Sequence, residues 1–216
     1  MQAHTLRAAL AGLALTLGAA ATPATAAVFT NAPSDAGTIF SFGAPDTTSY
    51  GQVFLAPGGT LQSWTFSLDA ANTGGFKLVV ADWNGSQAVG PALYESAVMN
   101  GVPGGIQAYT FSGINLGLTA GDDYIAYITV AGVGSPLGGS GVAGSSGDGG
   151  LGGGFRFLNS NGTDPLTLNN PWSNWSVPNM TFTAEFGEVQ IPEPGSLALL
   201  GLALAGLVAT RRRAAA

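Results

Sequence analysis

The sequence predicts an all-β fold, an antiparallel jelly-roll-like β-sandwich, set between an N-terminal signal peptide and a C-terminal transmembrane helix. Three observations predict it. Apolar residues in the middle of the chain recur with period two, turns rich in glycine, proline and asparagine punctuate them, and no amphipathic run of helical period occurs. "TLQSWTFSLD" puts Trp64, Phe66 and Leu68 on one face with Thr65 and Ser67 on the other, and "GFKLVVADW" sets Phe76, Leu78 and Val80 against Lys77.

The first element is residues 1–26, where Arg7 precedes an apolar stretch from Ala8 to about Ala21 and Ala24 and Ala26 form an A-x-A cleavage site. This is the layout of a secretory signal peptide. Cleavage after Ala26 is the first choice and the bond after Ala27 the alternative. The stretch falls short of the roughly 20 residues that span a bilayer, and Pro23 follows it at once, which argues against an anchor helix.

Residues 27–188 form the sandwich domain. Strands are expected at "SYGQVFLA", "TLQSWTFSLD", "GFKLVVADW", "QAYTFSG", "DDYIAYITVAG", "GGFRFLN" and "MTFTAEFG". Turn signals separate them at Pro57-Gly58-Gly59, Asn72-Thr73-Gly74-Gly75, Asn84-Gly85, Pro103-Gly104-Gly105 and Ala120-Gly121. The last strand, near Met180 to Phe186, is expected to close the sandwich and pair the two ends of the domain in one sheet. From Gly132 to Gly154, glycine and serine break the alternation over a stretch too long for a hairpin turn, which predicts a mobile surface loop. A calcium-binding glycine-aspartate repeat would need aspartate recurring in register, and the stretch holds Asp148 alone.

Residues 189–216 carry Pro192-Glu193-Pro194, an apolar run from Ser196 to Thr210, and Arg211, Arg212 and Arg213. As a helix the run reaches about 22 Å at about 1.5 Å per residue, short of a hydrocarbon core near 30 Å. Its flanks compensate. The arginines can snorkel into headgroups and, by the positive-inside rule, remain cytoplasmic while the domain is exported.

This three-part layout resembles the PEP-CTERM sorting tag. The resemblance implies that a membrane-embedded exosortase recognises the tag, cuts near Pro192, Glu193 and Pro194, and releases or transfers the protein to a bacterial cell surface or its polysaccharide matrix. Physically, the two prolines hold an extended segment just outside the membrane, and the helix and arginines fix its depth. The stretches "GQVFLAPGGTLQSWTFSL", "ADWNGSQAVGPALYES", "LTAGDDYIAYITV", "GGGFRFLN" and "MTFTAEF" also resemble a β-sandwich module of exported PEP-CTERM proteins that carries no catalytic signature. The implied partners are exosortase, signal peptidase with the secretion machinery, and the membrane before processing.

Charge and composition narrow the chemistry further. Between residues 27 and 191, two cations (Lys77 and Arg156) stand against eleven acids, a net charge of −9. A surface of that sign disfavours nucleic acid and anionic headgroups. The chain has no cysteine, which removes disulfides, thiolate metal sites and thiol catalysis. His4, the one histidine, leaves with the signal peptide, so serine-histidine and histidine-zinc sites are excluded from the mature chain.

What remains for catalysis is a carboxylate pair of the glycosidase kind, drawn from Asp82, Glu95, Asp122 and Asp123. Asp122 and Asp123 also read as solvated turn residues. No cofactor is expected; a structural calcium would draw on Asp82, Asp122, Asp123 and Asp148. Sugar binding would use exposed aromatic rings, with Trp83, Trp172, Trp175 and Tyr109 as candidates and Trp64 assigned to the core. "NNPWSNW" is a polar, proline-bounded loop that could expose Trp172 and Trp175 as platforms or pack them over an open sandwich end. Ice binding would need a regular threonine array, and no such repeat is visible. The expectation is an exported cell-surface or extracellular-matrix protein with a structural or polysaccharide-binding role and no catalysis of its own. A carboxylate-dependent glycoside hydrolase and a plain C-terminally anchored coat protein are the alternatives.

Overall fold

The computed structural model describes residues 26–187. The signal peptide, Pro192-Glu193-Pro194, the apolar run and Arg211 to Arg213 lie outside the described residues. In chain order the strands are β1 (Ala27–Thr30), β2 (Thr38–Phe42), β3 (Ser49–Leu55), β4 (Gly59–Asp69), β5 (Gly75–Trp83), β6 (Ala88–Glu95) and β7 (Met99–Asn100). They continue with β8 (Gln107–Leu118), β9 (Asp123–Thr129), β10 (Ser140–Ser145), β11 (Gly154–Leu158), β12 (Asn179–Met180) and β13 (Phe182–Gly187). A 3-10 turn at Pro165–Thr167 precedes β12, its backbone capped by the Asp164 carboxylate.

The strands form the expected antiparallel sandwich. In the first sheet β8 flanks β4 on one side, while β13 and β10 share its other edge, pairing with it at Phe66 and Leu68 respectively. β1 extends this sheet beyond β13, and β2 and β12 extend it from β10. The second sheet runs β11, β3, β9, β5, β6, with β7 beside β5. The two ends of the described chain therefore meet, Ala27 lying opposite Phe186.

Period-two alternation makes the core between the sheets. Trp64, Phe66 and Leu68 from β4 and Phe182, Ala184 and Phe186 from β13 face Tyr50 and Phe54 of β3, Phe76, Leu78 and Val80 of β5, and Ala126 and Ile128 of β9. Trp64 is completely buried, stacked on Phe182 with centroids 5.0 Å apart and tilted against Phe54 at 4.9 Å, so one indole ties both sheets together. A second apolar cluster covers the other face of the second sheet, built from Val53, Val79, Ala81, Ile125 and Tyr127 with Leu158, Trp83 and Trp172. β9 is therefore buried on both faces, which is why "YIAYI" reads as a continuous apolar run with no alternation.

One amide group crosses the core. Gln52 on β3 has no solvent exposure; its Nε2 donates to Asn179 Oδ1 at 2.9 Å and its Oε1 accepts from Met180 N at 3.0 Å. These bonds couple β3 in one sheet to β12 in the other. Most buried polar groups in folded proteins are paired, and here each partner satisfies the other.

The structure corrects the reading of Gly132 to Gly154 as a mobile surface loop. The middle of that stretch is β10, buried along its whole length and paired with β2, β4 and β12. Its glycines are there for close approach. A Cβ on Gly141 would stand 2.5 Å from Thr38 Cγ2, and one on Gly144 would stand 2.6 Å from Val177 Cγ1. Neighbouring side chains fill the space that β10 itself leaves empty, so its own sequence shows no apolar alternation.

Replacing Gln52 with leucine should leave Asn179 Oδ1 and Met180 N buried without a partner, at about 1 to 3 kcal/mol each. Urea denaturation of Gln52→Leu should show that loss of stability; an unchanged midpoint would mean the link is dispensable.

Candidate functional site

The segment from Pro171 to Pro178 runs along β11 and is fastened at several points. Trp172 N donates to Ser86 O at 2.8 Å, Ser173 and Phe157 exchange backbone bonds of 2.9 and 2.8 Å, and Phe155 N donates to Pro178 O at 2.7 Å. The Trp172 side chain anchors it. Trp172 lies 7% exposed in the second apolar cluster, edge-on to Tyr127 at 5.2 Å and to Trp83 at 6.2 Å. Burial pushes the Tyr127 hydroxyl far above its ordinary range, with the charges of Asp164 and Glu95 adding to the effect, so this cluster stays neutral.

With Trp172 turned inward, Trp175 three residues later is turned out. It is 63% exposed and packs edge-on against Phe157 at 6.1 Å. Across from it lies Phe40 on β2, 65% exposed, and between them opens a cleft of about 270 Å³. Its floor is aromatic, Tyr50 and Phe155 meeting at 5.0 Å, while Ser41, Asp46 and Thr47 bring hydroxyls and a carboxylate to its wall.

The polar wall comes from the connection between β2 and β3, folded back by Gly43. Gly43 has φ +112°, and a Cβ there would stand 2.5 Å from the carbonyl oxygens of Leu137 and Gly138. Only glycine fits. Gly43 N donates to Thr47 O at 2.9 Å and Ala44 N to Leu137 O at 2.8 Å, which holds Asp46 and Thr47 beside the cleft.

Tyr50 supplies the chemistry of the floor. Its hydroxyl donates to Phe40 O at 3.0 Å, and burial pushes its pKa up to about 12, with Thr47 opposing the rise and the Asp46 charge adding to it. At neutral pH it is a fixed donor. Among the described residues no cation lines the cleft: Lys77 pairs with Glu95 at 2.7 Å, and Arg156 Nη1 donates to Phe155 O at 2.7 Å. A second hollow, of about 380 Å³, lies beside Pro45, Val130 and Pro136 and has no ionisable side chain on its wall.

Of the aromatic residues weighed as platforms from the sequence, Trp175 is exposed. Trp83 (8% exposed) and Trp172 (7%) are corrected to core residues, because together they cover Tyr127 and the outer face of the second sheet. Tyr109 is likewise buried, its hydroxyl accepting from Val102 N at 2.9 Å.

The candidate acids are not gathered. Asp82, Asp122, Asp123 and Asp148 are exposed, Asp148 Oδ1 accepts from Gly150 N at 2.9 Å, and among the described residues no three metal-ligating side chains converge. None of Asp82, Glu95, Asp122 and Asp123 lines the cleft. Sequence reasoning missed Phe40, Asp46, Tyr50 and Phe157, which lie far apart in the chain. The one available signal was "TIFSF", where Phe40 adds a third large apolar residue between Ile39 and Phe42, the two that are buried.

Residues 190–213 match the model of the PEP-CTERM protein-sorting motif. The chain carries a PEP-CTERM sorting motif. This PEP-CTERM motif supports an exported surface protein handled by exosortase, with a C-terminal sorting signal in the membrane before it reaches the cell surface. No curated protein matches the chain. Among solved structures, the chain is similar to the cysteine protease and lectin-like domains of Cwp84, a surface layer associated protein of Clostridium difficile. The identity is 13% and the TM-score 0.42, over 72% of this chain and 37% of that one. It is also similar to infectious bursal disease virus Gt strain, with 12% identity and a TM-score of 0.32 over 85% of this chain and 49% of that one. The PEP-CTERM chain thus spans less than half the length of each structure.

The two tryptophans of "NNPWSNW" should separate cleanly on mutation. Trp172→Ala should cost about 3 to 5 kcal/mol as a buried aromatic truncation, whereas Trp175→Ala should stay within about 0.5 kcal/mol. Urea denaturation of both variants checks this, and equal losses would contradict the assignment of one to the core and the other to the surface.

Proposed function

We propose that this exosortase-sorted protein is a polysaccharide-binding component of the cell surface or extracellular matrix, with the cleft between Phe40 and Trp175 as its sugar site and no catalysis of its own. The observation that carries the reading is Trp175, held 63% exposed by a segment fastened on both sides of it. An exposed indole is costly in water, and a second large aromatic, Phe40, stands exposed across the same cleft. Pyranose rings present apolar C–H faces and a girdle of hydroxyls. Aromatic faces suit the former, and Ser41, Asp46, Thr47 and the backbone suit the latter.

A single carboxylate in the cleft supports binding over hydrolysis. The two-acid mechanism needs carboxyl groups about 5 to 9.5 Å apart on either side of the scissile bond, and among the described residues Asp46 stands alone on the wall. The sorting motif supports the same reading, since a surface route brings the domain to the polysaccharide layer.

Binding of the host's matrix polysaccharide to the full-length chain, purified in a detergent without sugar headgroups, tests the site. Trp175→Ala should weaken binding at least about tenfold, or about 1.4 kcal/mol, with the unfolding midpoint kept. Unchanged affinity in that variant would remove the cleft from the account. The sorting step is read by intact mass, in strains with and without exosortase. A species ending near Pro192 that disappears without the enzyme is expected; an uncut tail in both strains would mean a plain membrane anchor.

A further inference from the structure

We infer that the cleft prefers sugars carrying a protonated amine, 2-amino-2-deoxyhexose units, over N-acetylated, neutral and acidic ones; this rests on the sugar-binding reading above. The argument begins with charge. Asp46 is the one carboxylate on the cleft wall, it is exposed, and it has no ion-pair partner among the described residues. Tyr50 stays protonated and spends its proton on Phe40 O, so it adds no second negative charge and offers Asp46 no cation. The cations that could have served an acidic sugar are engaged elsewhere, Lys77 with Glu95 and Arg156 with the Phe155 carbonyl.

Each sugar class uses this wall differently. A uronate or sulfated sugar would meet Asp46 and a described domain holding two cations against ten acids, a net charge of −8. A neutral or N-acetylated ring would stack on the aromatics and leave the carboxylate with only hydroxyl partners. An ammonium at ring carbon two pairs with Asp46, and the π faces of Trp175 and Phe157 attract the same charge. The cleft is thus built from the two chemistries that recognise an amino sugar, apolar ring faces and one uncommitted anion.

Titration calorimetry on the full-length chain, in a detergent without sugar headgroups and at mildly acidic pH, tests the preference. The probes are oligomers of glucosamine, N-acetylglucosamine, glucose and galacturonic acid. The glucosamine oligomer should bind about threefold to fivefold tighter than the N-acetylated and glucose oligomers, with the uronate weakest, and added salt should shrink the gap. Asp46→Asn should erase the gap, the glucosamine oligomer falling to the affinity of the N-acetylated one in the same variant. Equal affinities in the parent chain, or a gap that survives Asp46→Asn, would overturn the amine preference. In that case, loss of all binding in Trp175→Ala would leave the sugar-binding reading standing. No binding by any oligomer would overturn both.

Discussion

Burial of the second sheet on both faces is the constraint from which the site follows. One face of β3, β9 and β5 packs against the first sheet, and the other exposes Val53, Ile125, Tyr127, Val79 and Ala81 to whatever the chain can lay over them. With no cysteine, nothing but packing and hydrogen bonds can hold that cover in place. The chain between β11 and β12 supplies it, with Leu166, Leu168 and Trp172 as the apolar contacts. Once Trp172 is committed inward and Ser173 is bonded to Phe157, Trp175 lies over β11 beside the cleft. The place of the exposed indole is thus set by the seal over the sheet.

The same architecture explains how much could be read beforehand. β3, β4, β5, β8, β9, β11 and β13 were legible because each presents large apolar residues at alternate positions or as a continuous run. β10 was not, because its alternation is written in its neighbours: Thr38, Phe40 and Val177 occupy the space over its glycines. β6 was hidden differently, since Pro91 interrupts it, and that is tolerated only because β6 lies at the edge of its sheet.

The site was legible only in part for a related reason. Composition pointed to aromatics, and "NNPWSNW" pointed to the right loop, but one tryptophan faces each way and only packing against Tyr127 decides which. Phe40 and Asp46 are brought to the cleft by Gly43 pressing against the carbonyls of Leu137 and Gly138, a contact between segments nearly a hundred residues apart. No local pattern reports such a contact. The charge deficit was visible at once and retained its value, because two cations on a sandwich of this size can each be traced to a partner.

The turn between β3 and β4 fixes one pole of the sandwich, where Gly187 pairs with Thr60, and β3 starts at the other pole, close to Thr47 and Tyr50. The seven residues of β3 separate the poles by about 23 Å at roughly 3.3 Å per residue. Gly187, where the described chain leaves the sandwich, therefore lies at the pole opposite Asp46 and Tyr50, so whatever is joined to it stands away from the exposed aromatics.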